Sequence, residues 1–299
     1  TERLEKLPTV ADFLKGTPPS SPVSTATRTK QHQEIYAKTP LLEIKNAQKE
    51  YYTKVSFFGK TESVKAVNDV SFKIYEGETL GLVGESGCGK STLGNLILQL
   101  DKATSGHIFY KGKDLTQLKT RELRKLRRDI QIIFQDPYSS LNPRLTVGQA
   151  ITEAMEVHKL YASKKERKAE ALKLLEQVGL LPEHYDRYPH EFSGGQRQRI
   201  GIARTIAVKP KFIVCDESVS ALDISVQAQV LNLLNALKEQ YKFTYLFISH
   251  DLAVVKYISD RLLVMRNGQF EETGEADAIY AHPQSDYTKS LINAIPKGI

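Results

Sequence analysis

The sequence lacks most of the marks of secreted, membrane-spanning and metal-stabilised small proteins. Its 299 residues include only two cysteines, Cys88 and Cys215, which excludes a disulfide framework and a four-ligand zinc site. It has no apolar run of about 18 residues, so no helix predicted from it spans a bilayer. The first 30 residues contain no apolar segment typical of a signal peptide. We therefore expect a protein of the reducing cytoplasm.

The composition is otherwise that of an ordinary globular protein. Hydrophobic residues make up 40% and charged residues 26%, which excludes global disorder and predicts one large or two small domains. The net charge of +7 permits contact with nucleic acid, anionic lipid or a nucleotide and selects none of them. Basic runs at 119–128 and 164–168 contain glutamates and no aromatic ladder, so we interpret them as solvated helix faces and expect no nucleic-acid partner.

The first 40 residues differ in composition from the rest. Residues 17–25 are rich in proline, serine and threonine and have little to bury, which predicts a linker. An apolar strip precedes them, and both docking on the folded part and fraying fit it; it comprises Leu4, Leu7, Val10, Phe13 and Leu14. We predict a flexible or docking arm over 1–40.

Regular patterns begin at residue 41. Strands are predicted at 41–47, 64–74, 79–83, 129–134, 211–215 and 244–249, with a loop at 51–61 that turns at Gly59. Helices are predicted after the third strand, with Leu93, Leu96, Ile97 and Leu100 on one face, over most of 143–192, and at 227–240. The alternation of strands and helices after residue 79 favours a parallel sheet.

A phosphate-binding pattern follows the strand at 79–83. The segment matches G-x-x-x-x-G-K-[ST] and leads from a strand into a helix, as that motif requires; it reads Gly84, Glu85, Ser86, Gly87, Cys88, Gly89, Lys90 and Ser91. Glycines let backbone N–H groups turn toward phosphate oxygens, and the helix N-terminus adds a favourable dipole. Lys90 would place its charge at the β- and γ-phosphates, and the Ser91 hydroxyl would coordinate Mg²⁺.

An acidic strand end supplies carboxylates that could act on the metal and on water beside a bound phosphate. The apolar segment 212–215 runs into Asp216 and Glu217. Asp216 would reach Mg²⁺ through water, and Glu217 would orient and polarise an attacking water as a general base. A strand end capped by two acids is common, so this assignment depends on the phosphate loop.

A further segment points to a family. Ser193, Gly194, Gly195 and Gln196 open a predicted helix 102 residues after Ser91 and just before the acidic strand. This arrangement resembles the signature motif of ABC-transporter ATPases, and the resemblance covers 41–290. It implies an α/β P-loop NTPase (RecA-like) fold: a parallel-sheet core, an antiparallel β subdomain and a helical signature subdomain at about 137–195. Residues 291–299 would form a short tail.

The resemblance also implies roles for individual residues. Gln135 matches the glutamine that senses metal and water, Asp223 the loop that contacts the opposite subunit, and His250 the histidine that reaches the γ-phosphate. Thr92 follows Ser91 in the nucleotide-binding set. Tyr51 matches best the aromatic residue that stacks on adenine, with Tyr52, Phe57 and Phe58 as rivals. Cofactors would be ATP and Mg²⁺, and each ATP would lie between the Lys90 loop of one subunit and the Ser193–Gln196 segment of another in a head-to-tail dimer.

Three longer stretches indicate which branch of the ABC-transporter ATPases the chain resembles. Residues 134–144, 187–196 and 220–230 look like those of oligopeptide, dipeptide and nickel importer ATPases, and most like the second ATPase subunit of oligopeptide permeases. That resemblance implies a different partner ATPase, two transmembrane permeases, an external peptide-binding protein and a peripheral place on the cytoplasmic face of the membrane. Dipeptide or nickel import is an alternative; a soluble ATPase of this type acting on nucleic acid or the ribosome is a more remote one. Ser218 departs from the family, which usually has proline after the glutamate.

Overall fold

A computed structural model describes residues 5–9, 12, 24–54, 61–136, 138 and 140–295. Strands β1 to β10 cover Pro40–Lys54, Thr61–Tyr75, Thr79–Val83, Ser105–Tyr110, Lys113–Asp114, Ile130–Ile133, Phe212–Asp216, Thr244–Ser249, Arg261–Arg266 and Gln269–Glu275. Helices α1 to α10 cover Thr25–Tyr36, Lys90–Ile97, Thr120–Leu126, Val147–Val157, Lys164–Gln177, Gly194–Ile206, Ile224–Tyr241, Leu252–Ile258, Ala276–Ala281 and Asp286–Asn293. Short 3₁₀ turns lie at Leu115–Gln117, Pro182–Asp186 and Pro189–Glu191.

The described chain divides into two compact units. One contains 24–124 and 244–295, and we call it the phosphate-loop unit. The other contains 125–243 with the described residues before 24, and we call it the signature unit.

The phosphate-loop unit has an antiparallel sheet in the order β2-β1-β4-β5. Its two long strands pair across fifteen residues each, and Tyr51 lies opposite Val64. The prediction of a loop from Tyr51 onward is therefore wrong at its start, because β2 supplies backbone partners as far as Lys54. The predicted turn at Gly59 lies outside the described residues.

A second sheet of the same unit is built on the buried strand β3. It pairs in parallel with β8 and β9, and β10 joins β9 antiparallel. Helix α2 follows the phosphate loop and buries Leu93, Leu96 and Ile97, as predicted. Leu100 does not belong to that face: it is 56% exposed because Gln99, at φ 53°, has already ended the helix.

The signature unit contains the parallel pair β6–β7 and helices α4 to α7. Strand β7 is buried along its first four residues, and α6 is fastened to β6 because the Thr205 hydroxyl donates to the carbonyl of Ile132 at 3.3 Å. The parallel strands and the helices predicted over 143–192 and 227–240 are confirmed.

The described residues of the N-terminal arm include a helix and a contact nearer the terminus. Helix α1 starts at Thr25, capped by the Ser24 side chain, inside the region predicted to be flexible or docking. Nearer the terminus, the Leu7 backbone exchanges two hydrogen bonds with the Asn232 amide at 3.0 and 2.9 Å. The other four members of the apolar strip, and 17–23 of the predicted linker, lie outside the described residues. No helix in the described part of the chain is long and apolar enough to cross a bilayer.

Candidate functional site

Strands β3 and β8 end side by side in the phosphate-loop unit. Their parallel register pairs Val83 with Ser249. Gly84, the first residue of the phosphate loop, and His250 therefore both lie one residue beyond the same edge of the sheet. His250 is exposed there, and Asp251 caps helix α8 directly after it by accepting from the Ala253 N–H at 2.8 Å. The carboxyl edge of a parallel sheet is where such folds bind their ligands.

The glycines of the loop are required by its geometry. Gly84 and Gly89 have φ of 154° and 112°. A Cβ at Gly84 would lie 2.1 Å from the Met265 carbonyl oxygen, and one at Gly89 would lie 2.0 Å from that of Ala66. Gly87, at φ 79°, faces open space. The loop is thus packed on neighbouring backbone at both ends and open at its centre.

Lys90 lies inside the loop and is only 4% exposed. Its Nζ donates to the carbonyls of Gly84 and Glu85, both at 2.8 Å, and lies 3.8 Å from Cys88 Sγ. Burial raises the pKa of the Cys88 thiol, although the ammonium opposes this. A buried ammonium that donates to two neutral carbonyls is suited to an anionic ligand, and phosphate oxygens fit it chemically.

The structure separates Tyr51 from its described rival. The Tyr51 hydroxyl donates to Asp101 at 2.6 Å, a bond that raises the pKa of Tyr51, while the side chain of Thr92 in helix α2 acts in the opposite direction. The Lys49 ammonium lies 4.8 Å from the ring centroid and 2.7 Å from Asp101. Tyr52 points to the other side of the strand and bonds Glu50 at 2.9 Å.

Tyr51 is therefore an anchored ring beside the helix that follows the phosphate loop, with one face covered by a cation. Phe57 and Phe58, the other two rivals, lie outside the described residues.

The ends of β6 and β7 bring two predicted site residues together in the signature unit. Ile133 pairs with Cys215, so Gln135 and Glu217 leave neighbouring strands at the same edge. The Gln135 amide donates to the Glu217 carboxylate at 3.0 Å. Glu217 has φ 46°, a conformation that a non-glycine residue adopts at a cost and that is enriched at functional sites.

The residues around Glu217 hold this conformation. Its carbonyl accepts from the Ser220 hydroxyl at 2.9 Å, and Ser218, where the sequence resemblance predicts proline, is buried. Asp216 ends strand β7, and Cys215 is fully buried.

The Ser193–Gln196 segment forms the N-terminus of helix α6. The Ser193 hydroxyl accepts from the Gln196 N–H at 3.3 Å, and the Gln196 side chain accepts from the Ser193 N–H at 3.0 Å, which is a capping box. A Cβ at Gly195 would lie 2.4 Å from Val226 Cγ1, whereas one at Gly194 would make ordinary contact.

Asp223 has a similar structural role. It caps α7 by accepting from the Val226 N–H at 3.0 Å and from the Ser225 hydroxyl at 2.8 Å. Ser193 and Asp223 therefore both lie at exposed N-termini of helices, and helix N-termini favour anions.

Comparison with known proteins agrees with the geometry. Residues 67–220 match the family described as ABC transporter. The chain is 55% identical over 257 residues to the oligopeptide transport ATP-binding protein OppF of Bacillus subtilis (strain 168), which spans 86% of this chain and 82% of that protein. The chain belongs to the ABC transporter family. It is also 55% identical over 240 residues to the dipeptide transport ATP-binding protein DppF of Lactococcus lactis subsp. cremoris (strain MG1363), covering 80% and 77% of the two chains.

Solved structures place the fold in the same family. An ATP-binding cassette solved as a dimer in a post-hydrolysis state with ADP and Pi matches with a TM-score of 0.70 at 31% identity, covering 79% of this chain and 98% of that one. The resemblance drawn from the signature segment and the expected α/β P-loop fold are confirmed. The chain is an ATP-binding ATPase of this family.

Sequence reasoning missed several partners of the site residues. Lys49 lies two positions before Tyr51, and residues i and i+2 share a strand face, so a strand predicted through Tyr51 would have indicated this neighbour. Asp101 and Val226 carry no local signal, because each meets its partner through tertiary packing. Tyr51 and His250 both lie outside the matched span of the family.

Proposed function

We propose that this chain is the ATP-hydrolysing subunit that powers an importer of oligopeptides. The observation that carries the proposal is the loop built around buried Lys90 at the sheet edge it shares with His250. The oligopeptide cargo is supported by the name of the Bacillus subtilis relative. Cargo recognition itself belongs to other subunits, since this chain supplies the energy.

Residues of the phosphate-loop unit bind the nucleotide in this proposal. The N–H groups from Ser86 to Thr92 bind phosphate oxygens, and Lys90 moves from its carbonyl partners to the β- and γ-phosphates. Tyr51 stacks on adenine with the ring face opposite Lys49. His250 contacts the γ-phosphate from the neighbouring strand end.

Residues of the signature unit contribute to hydrolysis. Glu217 orients and polarises the attacking water, and Gln135 holds that carboxylate in place. The oxygen donors of Ser91, Asp216 and Gln135 are of the kind that Mg²⁺ prefers, with Asp216 acting through water. Bound Mg²⁺ would neutralise charge that develops on the phosphates.

A complete catalytic site is proposed to require two subunits. The Ser193–Gln196 helix N-terminus of one subunit stabilises γ-phosphate charge on the ATP held by the other, with Asp223 at the contact. We propose a head-to-tail pair with a second, different ATPase, bound to two transmembrane permeases at the cytoplasmic face of the membrane. An external peptide-binding protein would deliver the cargo.

Purification from native membranes tests the assembly. The tagged chain, isolated from solubilised membranes, is expected to bring two polytopic permeases and a second ATPase, identified by mass spectrometry. A Lys90→Ala chain should assemble equally and lose ATP binding. Recovery with ribosomes or DNA, and with no permease, would overturn the transport role and leave the ATPase chemistry intact.

Dipeptide import is the second candidate, because the Lactococcus lactis relative carries that name. Uptake of labelled oligopeptides, dipeptides and Ni²⁺ by cells that lack the chain, with and without its return, separates the three cargoes. Restoration of oligopeptide uptake alone is the expected result.

A further inference from the structure

Tyr287 connects the last described helix to the phosphate loop. The backbone N–H of Glu85, the second residue of the loop, donates to the Tyr287 hydroxyl at 3.1 Å across 202 positions of sequence. Tyr287 lies in the first turn of α10, which Ser285 caps by accepting from the Tyr287 N–H at 3.2 Å. The residue lies well beyond the span that matches the family.

With this hydrogen bond, both polar groups of the Gly84–Glu85 peptide have a side-chain partner. The carbonyl of Gly84 accepts from Lys90 Nζ at 2.8 Å, and the N–H on the same peptide, that of Glu85, donates to Tyr287. In a trans peptide these two groups point in opposite directions. The ammonium and the hydroxyl therefore hold opposite edges of the peptide with which the loop begins.

Strands β9 and β10 hold the ring of Tyr287 and the turn before its helix. The Arg266 guanidinium lies 4.8 Å from the ring centroid, and the preceding residue, Met265, presents the carbonyl against which Gly84 packs. The Glu272 carboxylate of β10 accepts two backbone hydrogen bonds, at 2.9 and 3.1 Å, from the turn before α10. The phosphate loop and the Tyr287 hydroxyl are therefore both positioned by contacts with strand β9, and the helix that carries Tyr287 is also positioned by strand β10.

Lys90 cannot keep its present bonds when a triphosphate binds. An ammonium has three donors, and two of them are used on the carbonyls of Gly84 and Glu85. Contact with both the β- and γ-phosphates needs at least two donors, so at least one carbonyl must be released. The Tyr287 bond involves neither the ammonium nor a carbonyl, and it can persist through this exchange.

We propose that Tyr287 is a positioning residue for nucleotide binding: its hydroxyl holds the Gly84–Glu85 peptide in place when Lys90 turns to the phosphates. The inference rests on the proposed ATP binding by this loop. Burial raises the pKa of Tyr287, so the neutral hydroxyl is present at physiological pH to accept the Glu85 N–H.

Replacing Tyr287 by phenylalanine tests the role, because it removes the hydroxyl and keeps the ring beside Arg266. Full-length chains are titrated with a fluorescent ATP analogue, and ATPase kinetics are measured on the assembled transporter. Tyr241→Phe is the matched control, since its hydroxyl bonds Gln177 at 2.7 Å on the signature unit. The expected result is about three- to tenfold weaker ATP binding and a KM raised by the same factor, with kcat and the thermal midpoint without nucleotide unchanged.

The outcomes separate this inference from the proposed function. Equal Kd and KM in Tyr287→Phe and the native chain would overturn the inference, as would tighter binding, which would make the hydroxyl an inhibitor. A lowered midpoint without nucleotide together with an unchanged KM would assign Tyr287 to stability only and overturn it as well. Failure of the native chain to bind ATP would instead overturn the proposed function.

Discussion

The side-chain amide of Gln135 donates a hydrogen bond to the Glu217 carboxylate at 3.0 Å. The two residues are 82 positions apart in the sequence, and adjacent parallel strands bring them together. The bond limits rotation of the carboxylate, and the left-handed backbone of Glu217 limits it further. A general base must be held in one orientation toward water to be efficient, and this pair provides such a restraint within a single unit.

Glu217→Gln should separate ATP binding from hydrolysis. The amide keeps the shape of the side chain and an oxygen that can accept from Gln135, but it cannot serve as a general base. We expect hydrolysis to fall by about 10²- to 10⁴-fold, with ATP affinity retained and an ATP-dependent dimer that persists on size-exclusion chromatography.

The control for that variant is Glu183→Gln, which alters an exposed carboxylate paired with Arg187 in the same unit. It should leave turnover unchanged. Near-native turnover in Glu217→Gln would refute the assigned base.

Tyr51→Ala should weaken ATP binding, whereas Tyr52→Ala should not. Stacking of a base on an aromatic ring contributes roughly 1–3 kcal/mol, and only Tyr51 is anchored beside helix α2 through Asp101. Isothermal titration with ATP and with inorganic triphosphate checks the origin of the loss, since triphosphate lacks the base and should bind both variants alike. A larger loss in Tyr52→Ala would transfer the assignment to that residue.

The two glycines of the signature segment should respond differently to alanine. At Gly195 the new Cβ would meet Val226 Cγ1 at 2.4 Å, so Gly195→Ala should lower the free energy of unfolding by about 1–3 kcal/mol. Gly194→Ala has room and should unfold near the native midpoint, so any loss of ATPase activity in it tests the proposed subunit contact.

A second substitution isolates the packing effect at Gly195. Val226→Ala in the Gly195→Ala background removes the clashing methyl and should recover most of the lost stability in a double-mutant cycle. Absence of recovery would mean that the glycine serves the backbone conformation and not the close packing.

Alkylation of Cys88 should block nucleotide binding, because the adduct would fill a loop already occupied by Lys90. Since burial raises the pKa of this thiol, little thiolate exists at neutral pH and labelling by N-ethylmaleimide should quicken as the pH rises. Cys88→Ala should be insensitive, while buried Cys215 should remain unlabelled in the folded chain. A chain modified at Cys88 that still binds ATP would contradict this prediction.

The features that could be predicted from the sequence are those specified by neighbouring residues. The Gly84–Ser91 loop and the Ser193 cap are indicated by residue types at fixed local spacing, although Gly84 and Gly89 also pack on the distant carbonyls of Met265 and Ala66. The sequence pattern predicts a loop at Tyr51 because the strand there is stabilised by a distant partner strand. It predicts Leu100 on the helix face because periodicity carries no information about the left-handed backbone of Gln99. The Gln135–Glu217 hydrogen bond depends on the pairing of β6 with β7. The contact of Tyr287 with the phosphate loop depends on a helix 202 positions away. No local sequence pattern predicts either of them.

The docking of helix α1 is predicted to depend on Arg28. Arg28, His32 and Tyr36 are spaced by four residues and therefore share one face of α1. Arg28 is buried, pairs with Asp277 and donates to the Ser259 carbonyl at 3.3 Å.

The other two members of this face add weaker contacts. His32 lies 3.7 Å from an Asp260 carboxylate oxygen and 3.4 Å from one of Glu275. The Tyr36 ring meets that of Tyr75 edge-on at 5.4 Å.

Arg28→Met should release α1 while the sheet stays folded. Loss of a buried, charge-assisted hydrogen bond removes about 1.5–3 kcal/mol of docking free energy, which corresponds to roughly ten- to hundredfold faster amide exchange over α1. Hydrogen exchange read by mass spectrometry measures this directly, and Lys30→Met, an exposed change on the same helix, is the matched control. Unchanged exchange over α1 in Arg28→Met would show that the helix is held by other contacts, whereas faster exchange in β3 as well would show that the arm stabilises the whole phosphate-loop unit.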